Sequence, residues 1–444
     1  MSAPAYLAAA AALVAVPTLP RWLPPAVVRL RELIFARVNG TQGIPVPGPL
    51  VGAEHFEEVY SHPAADGRSR GAGLSDLFWY WLAPGPQMHQ EHLEPGHRYR
   101  TVALTTRKVL AIPRGRADEL ATGAARRILD GLPPGRVRRR LRDLMMPLWA
   151  EVFYELVFAE PCPRPARDLI VANADDVVTA LKATGLRHMD RRDRLTRYLL
   201  GRIGDGTCPV VLPEPFTARE TAWYLQGAFF NTAVVQMSEA MAHVLLCAAA
   251  YPPARAEVDD DAALDRLIDE TLRVHPLFGV AHRITSAPIE VSGATLPTGS
   301  VLLFNYLAYQ RTGPAADDAF DPGRWLSLKR GEANFIPYGI TANRACPARG
   351  VAPVMLRAVT REVLRRFAVD SSAAHTRSLP SRGPAYLTPD GSARPGRPRL
   401  AAMRLGDRWA DTGRAVVQLV LGTWMVLDAR RRRLCATYFE EVRR

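Results

Sequence analysis

The stretch TAWYLQGAFFNTAVVQMSEAMAHVLLCAAA, within residues 217–250, constrains this chain's fold more than any other. Its apolar residues recur at spacings of three and four and cover most faces of the helix they define. A helix without a polar face belongs in the interior, so this one is expected to run through the middle of the protein. Other segments, such as RADELATGAARRILDGL and DRLTRYLLGRIGDG, carry the same periodicity. Strand-like segments come later, in residues 289–309, where β-branched runs are broken by glycine and proline, and in residues 385–391. No internal repeat or low-complexity linker divides residues 45 to 400. The expected fold is mainly α with a minor β-sheet, in a single domain.

With 444 residues, 48% hydrophobic and 23% charged, the chain is too apolar for disorder and long enough to bury a large core. Its net charge of +13 raises the question of nucleic acid. Only Lys108, Lys182 and Lys329 are lysines, however, and the arginines are spread along helical patterns with no recognition helix or RNA-binding motif beside them. No nucleic-acid partner is expected; an anionic membrane surface or an acidic protein partner fits the charge better. The five cysteines, Cys162, Cys208, Cys247, Cys346 and Cys435, are odd in number and widely spaced, without a CxxC pair. That pattern argues against a zinc site and a disulfide framework, and for a reduced, cytoplasmic setting.

Three regions are expected. Residues 1–42 open with SAPAYLAAAAALVAVPTL, apolar over about seventeen residues, the short edge of a bilayer span. With no basic n-region and no small-residue cleavage site, it is not read as a signal peptide. It reads as a membrane anchor or interfacial helix, or else as a surface helix packed on the domain. GIPVPGPLVG then reads as a stiff proline-rich lead-in to the main domain, residues 43–404. Residues 405–444 form a C-terminal extension. Its AVVQLVLGTWMVLDARRRR predicts an amphipathic helix, either on the same bilayer face or packed on the core.

Three motifs stand in a fixed order. ETLRVHP puts Glu270 and Arg273 one helical turn apart, where they can pair. FDPGRW places Arg324 after a proline turn, within reach of that glutamate. FIPYGITANRACPARG sets Cys346 between arginines and before Pro347, and VAPVMLRAVTREVLRRF predicts a helix behind it. Nearby positive charge from Arg344 and Arg349, together with a helix start, would stabilise a thiolate. Pro347 suits a first helical turn.

In this order the motifs resemble the cytochrome P-450 superfamily, the heme-thiolate monooxygenases, over roughly residues 45 to 400. The resemblance implies heme b with Cys346 as the proximal iron ligand, and a thiolate ligand of that kind favours O–O cleavage. It implies that Glu270, Arg273 and Arg324 form an ion-pair triad bracing the core, and that Arg344 and Arg283 hold the heme propionates. His97 and Arg100, in EPGHRYRTV, are implied to reach the propionates as well, and residues 217–250 to cross the distal face. It further implies a ferredoxin or similar electron donor and a small lipophilic substrate; the cysteine pattern and the apolar termini add a cytoplasmic location, either free or at the inner face of the membrane.

Two departures from the family pattern matter. The usual loop glycines are replaced by Ala342 and Ala348, while Gly339 and Gly350 lie further out, as if one residue were inserted. In the central helix, aligned on GAFFNTA, Phe230 takes the place of the acid and Asn231 that of the threonine, with Thr232 next. Phenylalanine cannot carry a proton, and an asparagine amide hydrogen-bonds without readily titrating. Catalytic roles on this helix therefore fall to the positions Phe230, Asn231 and Thr232. Gly227 and Ala228 are expected to leave room for a small ligand, and Phe229 and Phe230 either to line the pocket or to pack in the core.

Three functions follow. One is an oxygenase that inserts oxygen into, or desaturates, a lipophilic small molecule of specialised metabolism, using dioxygen and external electrons. A second is a peroxygenase or rearranging enzyme that dispenses with the usual acid and threonine. The third is an auxiliary protein that activates a partner enzyme, against which the retention of Cys346 stands.

Overall fold

The computed structural model describes residues 3–38, 43–277, 279–317, 319–373 and 383–442; the side chains of residues 1–15, 32 and 35–38 lie outside that description. The 217–250 stretch is the helix its pattern predicts. Thr217 starts it with a capping box: its hydroxyl accepts from the Glu220 amide, and the Glu220 carboxylate accepts from the Thr217 amide. Helix Ala218–Gly227 passes into a π-helical turn at Ala228–Ala233 and continues as Val234–Ala250. We refer to the whole as the central helix. Among the described residues it is the helix long and apolar enough to cross a bilayer. It is instead enclosed by helices Leu141–Phe158, Arg164–Leu181, Asp261–Val274 and Ala352–Arg366, in one apolar cluster that includes Trp149, Met241, Leu267 and Val359.

One buried ion cluster locks this core. Glu239, on the central helix, accepts from Lys182 Nζ at 2.6 Å and Arg142 Nη1 at 3.1 Å, joining three helices. Burial alone would raise the glutamate's pKa, but the two cations outweigh it and hold the carboxyl down at about 2.

The sheet content is small. Strand β1 (Gly43–Val46) pairs in parallel with β6 (Val301–Asn305), which pairs antiparallel with β3 (Val280–Ile284). Strands β2 (Val137–Arg140), β8 (Pro384–Pro389) and β7 (Phe367–Asp370) form an antiparallel sheet in that order, and β4 (Ile289–Val291) and β5 (Ala294–Leu296) form a hairpin. Residues 43–46, at the entry to the domain, are therefore an edge strand, where Pro45 is tolerated.

At the ends of the chain, helix Ala3–Val38 continues through Pro17, Pro20, Pro24 and Pro25 and packs against helix Arg397–Arg432. The latter begins eight residues before the expected extension and is followed by helix Leu434–Glu441.

Replacing Glu239 with alanine removes the buried carboxylate that Arg142 and Lys182 share. Unfolding in urea should show a loss of about 3–5 kcal/mol.

Candidate active site

Helix Asp261–Val274 carries Glu270 into full burial. Arg273 donates to both its oxygens, from Nε at 2.9 Å and from Nη2 at 2.8 Å. Arg324 Nε donates at 3.1 Å, Trp325 Nε1 at 3.1 Å and the Asp321 amide at 2.9 Å. The remaining Arg273 N–H groups go to the carbonyls of Ala315, Asp317 and Ala319. The three residues predicted to form a triad are thus brought together, and the saturated carboxylate ties its helix to the segment that leads to the cysteine loop.

That loop turns at Gly339, whose φ is +69° and where a Cβ would lie 3.0 Å from the Tyr60 hydroxyl; glycine is required there on both counts. The Cys346 amide donates to the Tyr338 carbonyl at 2.8 Å. Helix Ala352–Arg366 starts only six residues beyond Cys346, and Pro353, not Pro347, sits in its first turn. The sulfur therefore lacks the expected helix start. Burial pushes the half-buried thiol up to about 11, against the pull of the Ala348 and Arg349 amides and the Arg349 side chain. A bound metal ion is what would hold this sulfur as thiolate.

Three arginines converge beside the loop. Arg344, with φ of +58°, donates to the Leu93 carbonyl at 2.6 Å and lies 3.6 Å from the centre of the Tyr99 ring. Arg283, on β3, donates from Nη2 to the Tyr60 hydroxyl at 2.9 Å and from Nη1 to the His282 carbonyl. The third, Arg68, carries no local signal in the sequence. Gly67 bridges to Ile284, and a Cβ on it would come within 2.8 Å of the Ile284 carbonyl, so a glycine at this point lets Arg68 sit beside Arg283. Arg68 Nη2 donates to Asn343 Oδ1 at 2.6 Å, and Asn343 Nδ2 reaches the carbonyls of Tyr60 and Ala65. Asn343, three residues before the cysteine, thereby fastens the loop to residues 60–68.

Burial lowers the pKa of Arg68 well below its ordinary value, and Arg283 and Arg344 lower it further. Burial, with Arg283 in the same direction, also lowers that of Arg344. The Glu94 carboxylate is engaged by the amides of Arg68, Ser69 and Arg70. Glu91 also acts on Arg68 and Arg344, yet three guanidinium groups still leave positive charge in excess, and the buried Nε atoms of Arg68 and Arg283 have no partner. Such a site fits a ligand that brings carboxylates, as the propionates of the expected heme would.

His97 and Arg100 are not part of this group. Helix His97–Leu110 turns Val102, Ala103, Thr106 and Leu110 inward, which leaves both residues exposed on the other side.

Beyond the arginines lies a cavity of about 160 Å³. Phe78, Leu82, Val177, Val178 and Leu181 give it apolar walls, and Asn231, Thr232, Val235 and Gln236 face it from the central helix. Phe230 does not. Its ring is fully buried and stacks on Phe158, with centroids 6.2 Å apart, so it belongs to the core. Phe229 is likewise buried, against Tyr224. The π-turn sets this register, because one extra residue per turn rotates everything after it by about a third of a turn. Nor is there open space at Gly227: a Cβ there would meet the His89 ring at 2.4 Å, so that face is filled by imidazole.

Sequence reasoning did not single out the histidines of this cavity, His89, His92 and His282. Burial is the main cause that lowers His89 and His282 to about 4 and His92 well below its ordinary value, so all three are neutral near pH 7. His282 Nε2 donates to the Arg68 carbonyl at 2.8 Å, and Phe78 stacks on its ring. Asn231 Oδ1 and His92 Nδ1 are buried without a partner.

Residues 251–393 match the family model Cytochrome P450. That match takes in the Glu270 cluster and the cysteine loop and begins where the central helix ends. Cytochrome P450 76M5 of Oryza sativa subsp. japonica is 31% identical over 212 residues, covering 42% of this chain and 40% of that protein. Pentalenene oxygenase of Streptomyces avermitilis is 36% identical over 77 residues, 17% of each chain. The chain thus matches half or less of the length of these curated relatives. Among solved structures, a 6-coordinated cytochrome P450 from Thermus thermophilus superposes with a TM-score of 0.56 at 19% identity, covering 76% of this chain and 89% of that one. At that identity the likeness is one of fold.

The buried histidines set a pH dependence. Their folded pKa values lie below the unfolded value, so they leave stability untouched above about pH 6.5. As the pH falls from there toward 4, the unfolded chain takes up protons that the folded one refuses, and each of His89 and His282 should remove about 1.4 kcal/mol per pH unit. Urea unfolding across this range should be less steep in pH for His282→Gln than for the wild type.

Proposed function

We infer, from a chain that belongs to the cytochrome P450 family, a heme-thiolate oxygenase that inserts oxygen into, or desaturates, a small lipophilic molecule. The observation that carries this reading is Cys346 on its clamped loop beside the half-buried Arg344 and two buried arginines, Arg68 and Arg283, each with an N–H donor left open. Cys346 would be the axial ligand of heme b, and Arg68, Arg283 and Arg344 would meet its propionates. Heme so held supplies activation of dioxygen with electrons from outside, a ferredoxin or similar donor.

The chain's own residues account for the rest. Phe78, Leu82, Val177, Val178, Leu181 and Val235 exclude water and bind an apolar substrate. Pentalenene oxygenase among the relatives supports a terpene-like hydrocarbon of specialised metabolism. With Phe230 turned into the core, the cavity groups able to hold water or exchange a proton include the Glu91 carboxylate, the Thr232 hydroxyl, the Asn231 and Gln236 amides and the neutral histidines.

The peroxygenase reading keeps one observation in its favour: the central helix presents no acid to the cavity. Against it, the same helix presents Asn231, Thr232, Val235 and Gln236, with no arginine to hold a substrate carboxylate. An auxiliary role would leave the thiol and its arginine cluster without a use.

The reduced, carbon-monoxide-bound absorption spectrum tests the ligand. A thiolate-type Soret band is expected in the wild type and not in Cys346→Ala; absence of heme in both would overturn the reading. Asn231→Leu with Thr232→Val should lower turnover driven by dioxygen and an electron donor by about a hundredfold. If product instead forms from hydrogen peroxide alone and is unaffected by these changes, the peroxygenase reading replaces the first.

A further inference from the structure

Helix Arg397–Arg432 is built the wrong way round for a helix facing water. Its buried face carries polar residues: Asp411, Thr412, Gln418 and Asp428 point inward, and Gln418 Nε2 donates to the Lys182 carbonyl at 2.7 Å. Its outer face carries Trp409, Val416, Val420, Trp424 and Leu427, with Val420 63%, Trp424 56% and Leu427 61% exposed. From Trp409 to Leu427, a run of about 27 Å along the axis, the charged residues are Asp411, which is buried, its partner Arg414 at 3.6 Å, and no others. At both ends of this apolar run stand exposed arginines, Arg404 and Arg408 on one side and Arg430 to Arg433 on the other; Arg431 and Arg432 share Asp428 and Arg433 pairs with Glu440, so that end keeps a net positive charge. The N-terminal helix packed against it also exposes Trp22, Leu30 and Leu33.

We propose that this face of the C-terminal helix docks on an anionic lipid bilayer. The apolar side chains enter the boundary between headgroups and acyl chains, to a depth of about 5–10 Å, and the two tryptophans sit at headgroup level. The arginines at either end bind anionic headgroups. Charge decides against a second copy of the chain as the occupant. Pairing two such faces, with the helices running either way, sets one arginine cluster against another, whereas a bilayer offers apolar depth and negative charge together.

The placement has a consequence for the cavity. Through Met425 and Ala429 the helix packs on Tyr80, Trp81, Ala180 and Ala183. Those residues belong to, or directly follow, the two helices whose Phe78, Leu82, Val177 and Val178 line the cavity. Docking therefore puts the cavity one helix layer from lipid. The proposal stands independently of the reaction inferred above.

The test is flotation of the purified full chain with vesicles of phosphatidylglycerol and phosphatidylcholine, compared with vesicles of phosphatidylcholine alone. The wild type is expected to float with the anionic vesicles and to be released by salt. The double variant Val420→Glu, Trp424→Glu changes only exposed side chains, and an unchanged thermal melt would show that it folds. Its partitioning should fall by at least about tenfold. Arg408→Gln and Arg430→Gln should each weaken binding to anionic vesicles by roughly fivefold. The proposal is overturned if the wild type stays out of the anionic vesicles, or if the folded double variant floats as well as the wild type. A wild-type dimer in sedimentation equilibrium that the double variant dissolves, with no vesicle binding, would overturn it in favour of a second copy.

Discussion

The Glu270 carboxylate, buried and accepting from two guanidinium groups, an indole and a backbone amide, is the fixed point of this molecule. A charge in that position is tolerated only while its donors stay in place, so the segment that supplies them cannot move away from the helix. Because this segment leads directly into the loop of Cys346, the thiol starts from an anchored base. Asn343 then fixes the other side of the loop, since its amide joins Arg68 to the carbonyls of Tyr60 and Ala65. A sulfur whose own surroundings favour the neutral thiol is thus held still by neighbours that never touch it.

At the cavity, charge and neutrality stand side by side. Arg68, Arg283 and Arg344 gather positive charge, while His89, His92 and His282, the last bonded to the Arg68 carbonyl, are kept neutral by burial, reinforced at His92 and His282 by that charge. Apolar walls complete the space. The arginine cluster and the apolar walls are positioned by different features, the one by the backbone approach of Gly67 to Ile284 and the other by the π-turn at Ala228–Ala233.

The residues legible in the sequence are those whose partners are close in the chain or whose chemistry is unusual. Glu270 and Arg273 lie one turn apart, and Cys346 stands in a loop of distinctive composition. The exposure of His97 and Arg100 was not legible because a local motif does not show how a helix is rotated against its neighbours. Which of its two expected places Phe230 takes, cavity or core, was not legible because hydrophobic periodicity cannot reveal a single extra residue in a helical turn. Arg68, Asn343 and the cavity histidines gave no signal: Arg68 meets Asn343 across 275 residues, and His282 meets the Arg68 carbonyl across 214.

By itself the sequence determined a mainly helical domain built round residues 217–250, because an all-round apolar helix has to be buried. It also determined the order of the glutamate, arginine and cysteine motifs. Only the tertiary structure decided which side of each helix faces in. For the C-terminal helix that choice buries Asp411, Gln418 and Asp428 and leaves Trp424 and Leu427 outside. The physical reason is that inward and outward are fixed by partners far along the chain, such as the Lys182 carbonyl that takes the Gln418 amide, and not by the helix's own pattern.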